Sequence, residues 1–141
     1  MSLVLSAVLA LALQTPPPAA WTWTLYGNEA PLVLAEEVPD TDRLRTTLSC
    51  QPGSGTVTLD LYETPAATGF ARITAGDAAA TSEARAARGR METTVRVDHP
   101  VFAAFVTTGR ITVTVGDSQT VVTVQPAHLA KLRRFTDRCA G

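Results

Sequence analysis

The chain is short of nearly everything from which catalytic and metal sites are built. In 141 residues it has two histidines, two cysteines and a single lysine. His99 and His128 are far apart in sequence, and each stands beside the start of a predicted helix, so no pair of imidazoles at ligand spacing is present. No G-x-S-x-G, H-E-x-x-H or C-x-x-C occurs. Gly53-Ser54-Gly55 lacks the lysine and the following helix of a phosphate loop, so it reads as a hairpin turn. Ser49 has no base near it. Asp98-His99 offers two members of a triad, but a cap for the helix opened by Pro100 is the simpler reading. The carboxylate pairs Asp60/Glu63 and Glu36/Glu37 read as ordinary surface charge. No catalytic residue, metal site or cofactor is expected.

Charge of one sign is also missing. Thirteen acidic residues stand against twelve basic ones, all but one of the latter arginine, for a net charge of −1. No strong field recruits nucleic acid or anionic lipid, and mutual surface pairing accounts for acids in the first half and arginines in the second. A membrane-spanning run is absent too. Met1 to Leu13 is apolar or small throughout, but a span needs about 20 residues. Its length suits the apolar region of an export signal, with Ala10-Leu11-Ala12 as the cleavage pattern and Pro16-Pro17-Pro18 closing the segment. A cut after Ala20 is the alternative, with Pro18 against it, and no lysine or arginine precedes the apolar run. The expectation is residues 1–20 as signal peptide and proline-rich junction and 21–141 as one β-rich domain, periplasmic or secreted, with no stable membrane insertion after processing.

What the chain does have is alternation. Trp21 to Tyr26 alternates large and small side chains, with Trp21, Trp23 and Leu25 on one face, as core or as a ligand platform. A second strand surrounds Leu32 to Ala35. After the loop Val38 to Asp42, Leu44, Thr46, Leu48 and Cys50 face one way and Arg43, Arg45, Thr47 and Ser49 the other. Beyond the Gln51 to Gly55 turn, Val57, Leu59 and Leu61 face inward. Such patterns belong to antiparallel sheet wetted on one side. Phe70 to Ala75 is a further strand and Ala78 to Ala84 a weaker one. Ala84 to Arg90 reads as a mobile loop, whose Arg85, Arg88 and Arg90 form a candidate anion-binding surface or plain solvated charge. Thr93 to Val97 resumes the strand pattern, and Arg110 to Val115 with Gln119 to Val124 makes a second hairpin around Gly116-Asp117.

Two helices interrupt the strands. Pro100 and Gly109 bracket one over about 101–108, with Phe102, Phe105 and Val106 as its apolar side. Pro126 opens the other over about 127–138, where Leu129, Leu132, Phe135 and Cys139 form a stripe. Its basic residues Lys131, Arg133, Arg134 and Arg138 are attributed to the helix dipole, which favours cations near the C-terminus. Two cysteines in an exported chain imply one disulfide, Cys50–Cys139, closing a loop for roughly 4 kcal/mol of stabilisation in the chain-entropy model. The predicted fold is mainly β: an antiparallel sandwich or flattened barrel with a C-terminal helix stapled by that bond. A single sheet with both helices on one face is the alternative.

These elements together resemble a group of small exported alphaproteobacterial proteins of uncharacterised function. The residues that carry the resemblance are Trp21/Trp23, Pro39-Asp40-Thr41-Asp42, Leu44/Leu48/Cys50, Gly53-Ser54-Gly55, Pro100 to Gly109 and Phe135 to Cys139. A Tyr-Gly step belonging to the pattern is Ala35-Glu36 here. The resemblance implies a periplasmic β-rich fold and carries no activity. The functional expectation is a non-catalytic periplasmic binding or accessory protein whose partner is another periplasmic protein and not a nucleic acid. A small-molecule carrier or hydrolase with a cavity between sheets is the alternative.

Overall fold

The computed structural model describes residues 20–65 and 67–141. The apolar leader, the triple proline and the Ala10-Leu11-Ala12 pattern lie outside the described residues. Nine strands form: β1 Thr22–Tyr26, β2 Leu32–Glu37, β3 Leu44–Cys50, β4 Thr56–Leu61, β5 Gly69–Ala75, β6 Ala78–Ala87, β7 Arg90–Arg96, β8 Arg110–Val115 and β9 Ser118–Thr123. Helix α1 is Pro100–Thr108 and α2 is Leu129–Ala140, the latter entered through a 3-10 turn over Pro126–His128.

Every pairing is antiparallel, and the strands lie in the order β1-β2-β3-β4-β7-β6-β5-β8-β9. The sheet curls into a half-barrel, so the mainly-β antiparallel fold with two helices is what the chain forms. One continuous sheet replaces the two layers of a sandwich. Its first and last strands approach each other, and the Trp23 indole N–H donates to the Thr123 carbonyl at 3.1 Å.

The hollow of the curl is filled. Trp23, Phe102, Phe105 and Phe135 are all essentially inaccessible and share one core with Leu34, Leu48, Leu59, Met91, Ile73 and Ile111. Helix α1 packs on β5, β6 and β8, and α2 packs on β1, β2 and β4. The Phe102 and Phe105 rings meet edge to face, with centroids 5.7 Å apart. Below α1 the strands carry small residues, with Ala71, Ala75 and Ala84 buried. Ala71 and Ala75 lie on β5 and Ala84 on β6, and the alanine content of β6 is why that strand differs from expectation. Alanine favours strands weakly, yet here it makes room for two phenylalanines. The segment read as a loop from Ala84 is strand as far as Ala87, and the turn is only Arg88-Gly89.

Both ends of α1 follow the sequence signals. His99 Nδ1 accepts the Val101 N–H at 3.0 Å, Pro100 opens the helix, and Gly109 closes it at φ 75°. Gly109 then pairs with the chain leaving β9, its carbonyl accepting from the Val124 N–H at 2.6 Å. Helix α2 is tied at its far end. Cys139 is bonded to Cys50, with Cα atoms 6.0 Å apart, inside the usual range of about 4.4–6.8 Å. Beside the bond, the β3–β4 turn supplies two N–H groups to the last turn of α2: Gly53 to the Arg138 carbonyl at 3.0 Å and Gly55 to the Cys139 carbonyl at 2.8 Å. The Pro-Gly-Ser-Gly segment is therefore both a hairpin turn and the cap that satisfies otherwise orphaned helix carbonyls.

The basic residues of α2 have a more specific placement than the dipole. Lys131 Nζ donates to the Trp23 carbonyl at 2.6 Å, and Arg138 Nη1 donates to the Gly27 carbonyl at 2.9 Å. Trp23 is in β1 and Gly27 immediately follows it. Lys131 lies in the first turn of α2, where the dipole disfavours a cation, so edge capping and not the dipole accounts for it.

Candidate functional site

Polar groups converge at one end of the half-barrel because the β2–β3 ladder skips a residue. Glu36 pairs with Thr46 and Glu37 with Leu44, leaving Arg45 without a partner in the register. Such a bulge re-aims the extra side chain. Arg45, expected on the polar outer face with Arg43, instead reaches Glu36 Oε1 through Nη1 and Glu63 Oε2 through Nε, each at 3.2 Å. Its guanidinium lies 4.0 Å from the Trp21 ring centroid, and that of Arg43 lies 5.1 Å from the same ring. Trp21 thus parts company with Trp23, which is in the core.

Glu36 is only 5% exposed, and its other oxygen accepts from the Thr46 hydroxyl at 3.3 Å. Burial pushes its pKa up, with Arg45 and Thr46 opposing and the Glu63 charge assisting. The surface reading of Glu36/Glu37 is therefore corrected for Glu36. Asp60 needs the same correction. It points to the convex side but is 8% exposed, because Arg90 at 3.1 Å and Thr47 at 3.4 Å cover it. Burial raises its pKa as well, again against the pull of Arg90.

Next to Arg45 runs a cleft of about 420 Å³. One wall is Arg45, Thr46, Glu63, Thr64 and Pro65; the other is β9 from Ser118 to Val121. The Thr64 and Thr120 hydroxyls meet across it at 2.6 Å. The β9 wall is a strand edge. Val124 N–H faces β8, and the Thr123 carbonyl faces away towards Trp23. Since an antiparallel ladder alternates, Gln119 and Val121 also turn their N–H and C=O groups away from β8. Among the described residues these groups have no hydrogen-bond partner. The Val121 side chain is 44% exposed.

The three arginines singled out from sequence do not form one surface. Arg85 is paired with Glu92, and Arg90 with Asp60 and, at 3.9 Å, with Glu92. Arg88 is exposed in the β6–β7 turn. Of the histidines, His99 caps α1, and His128 sits 3.3 Å from Lys131 Nζ with its pKa lowered by burial and by that ammonium group. Among the described residues no three His, Cys, Asp or Glu side chains are grouped to hold a metal ion.

Fold and site together define a disulfide-closed antiparallel half-barrel with a filled hollow and a surface cleft along an open strand edge. No family model, curated protein or solved structure matches the chain. The Trp21–Arg45–Glu36 arrangement could not be found from sequence, because nothing local marks the bulge that creates it.

Proposed function

We propose that this chain is an exported, non-catalytic binding or accessory protein that takes an extended segment of a partner polypeptide along the open edge of β9. The observation that carries the reading is the pair of unpartnered backbone positions, Gln119 and Val121, facing a cleft beside a strand. An added strand satisfies such groups by main-chain hydrogen bonds and places alternate side chains in the flanking cleft. The filled hollow supports the same reading, since a carrier or hydrolase working between sheets needs space that Phe102, Phe105 and Phe135 occupy. The apolar leader and the disulfide support export to the periplasm or beyond, as does the resemblance to small exported alphaproteobacterial proteins. Among the described residues no helix is long and apolar enough to cross a membrane.

Val121→Pro tests the edge directly. Proline there removes an N–H that faces away from β8, so the β8–β9 ladder is kept. Proteins captured from an exported fraction by the wild-type chain should be lost with Val121→Pro, while the melting curve stays close to wild type. An unchanged set of captured proteins removes β9 as the docking edge.

A further inference from the structure

Away from the β9 cleft, α2 lays three cations beside a groove of about 370 Å³ that shares no lining residue with that cleft and is lined by Thr24, Leu25, Gly27, Asn28, Lys131, Arg134 and Arg138. At about 100° per residue, Lys131, Arg134 and Arg138 fall within about 60° of one another on the helix. No carboxylate lines the groove, and among the described residues none of the three is in an ion pair. Two of them are held in place. Lys131 gives one donor to the Trp23 carbonyl of β1 and Arg138 one to the Gly27 carbonyl just after it, which fixes their geometry but leaves the positive charge uncompensated and further N–H groups free.

We propose that this groove is a phosphate-binding site. Three uncompensated cations exceed what a single carboxylate neutralises, whereas a phosphate monoester carries about −1.5 to −2 at neutral pH and a pyrophosphate more. Arginine forks match phosphate oxygens in bidentate fashion, and lysine adds a point charge. The Thr24 and Asn28 side chains supply neutral polar groups at the same rim. Fixing Lys131 and Arg138 on backbone carbonyls lowers the ordering entropy that binding otherwise loses. The phosphate can belong to a soluble molecule or to a lipid headgroup; the chemistry recognised is the same. The proposal is independent of the β9 edge.

The probe is inorganic pyrophosphate, titrated into the folded chain and followed by amide chemical shifts. Saturable changes should appear over 24–28 and 131–138, and sodium chloride at matched ionic strength should not reproduce them. Arg134 makes no structural hydrogen bond among the described residues, so Arg134→Gln should leave the melting temperature unchanged and weaken binding about tenfold or more. Cosedimentation with phosphatidylcholine vesicles containing phosphatidic acid, lost in Arg134→Gln, identifies a lipid source; pyrophosphate binding without cosedimentation identifies a soluble one. Absence of saturable shifts, or shifts unaffected by Arg134→Gln, overturns the proposal. Binding of poly-glutamate with no response to pyrophosphate also overturns it, in favour of a carboxylate-bearing partner.

Discussion

Glu36 shows how one register slip sets the chemistry of a side chain. Its burial raises its pKa, so the folded chain keeps a proton on it to higher pH than the unfolded chain does. Across the window between the ordinary glutamate value and the raised one, the folded state binds more protons, and stability falls as pH rises. The stability of wild type relative to Glu36→Gln should therefore be greatest on the acid side of that window and should decline as pH rises through it. Urea denaturation of both chains over that range checks this; a difference that grows with pH contradicts it. Arg45 contributes with the opposite dependence. Arg45→Ala leaves Glu36 without its cation and should cost about 1–3 kcal/mol near neutral pH, and less once Glu36 is protonated. Little of this was legible in the sequence. Strict alternation assigns Arg45 to the outer face and cannot register a bulge. Glu36, although it shares a face with Leu32 and Leu34, reads as surface charge from its residue type and its neighbour Glu37.

At the scale of elements the sequence was far more readable, because the signals there are local and steric. The Pro100 start and Gly109 stop of α1, the two hairpin turns and the Cys50–Cys139 staple all follow from residue type at fixed offsets. Gly109 is the position where the requirement is strongest. Its φ is 75°, and a Cβ there would press into the Val124 carbonyl oxygen. Gly109→Ala should destabilise by about 1–2 kcal/mol from the left-handed backbone alone, with the close contact adding to it, as a thermal melt would record. The staple and the Gly53/Gly55 cap act on the same end of α2. Cys139→Ser should cost roughly 2–5 kcal/mol, and hydrogen exchange should accelerate first in the last turn of α2. Uniform acceleration over the whole chain would mean that α2 does not open on its own. The element that misled was β6, where alanines lack strand propensity and gain their place only from the phenylalanines of α1.

The molecule as a whole manages its two sheet edges differently. At β1 the carbonyls of Trp23 and of Gly27, just past the strand, are taken by Lys131 and Arg138, and the Trp23 indole bridges to β9. Charged side chains laid along an edge are a recognised defence against unwanted pairing. At β9 no such cover exists over Gln119 and Val121 among the described residues, and the neighbouring cleft is edged by the Arg45 cluster. This difference separates a protected edge from one available to a partner. It lies beyond any sequence reading, because it depends on which strands end up outermost, and the chain order of nine strands does not specify that.

The most direct test is residue-resolved amide hydrogen exchange along β9 in the free protein. An open edge predicts alternation: Thr120 and Val122, bonded into the β8 ladder, exchange slowly, while Gln119 and Val121 exchange fast and become slow when a partner is captured. Slow exchange at Gln119 and Val121 in the free protein, equal to that of their neighbours, would show the edge already covered and would contradict the account.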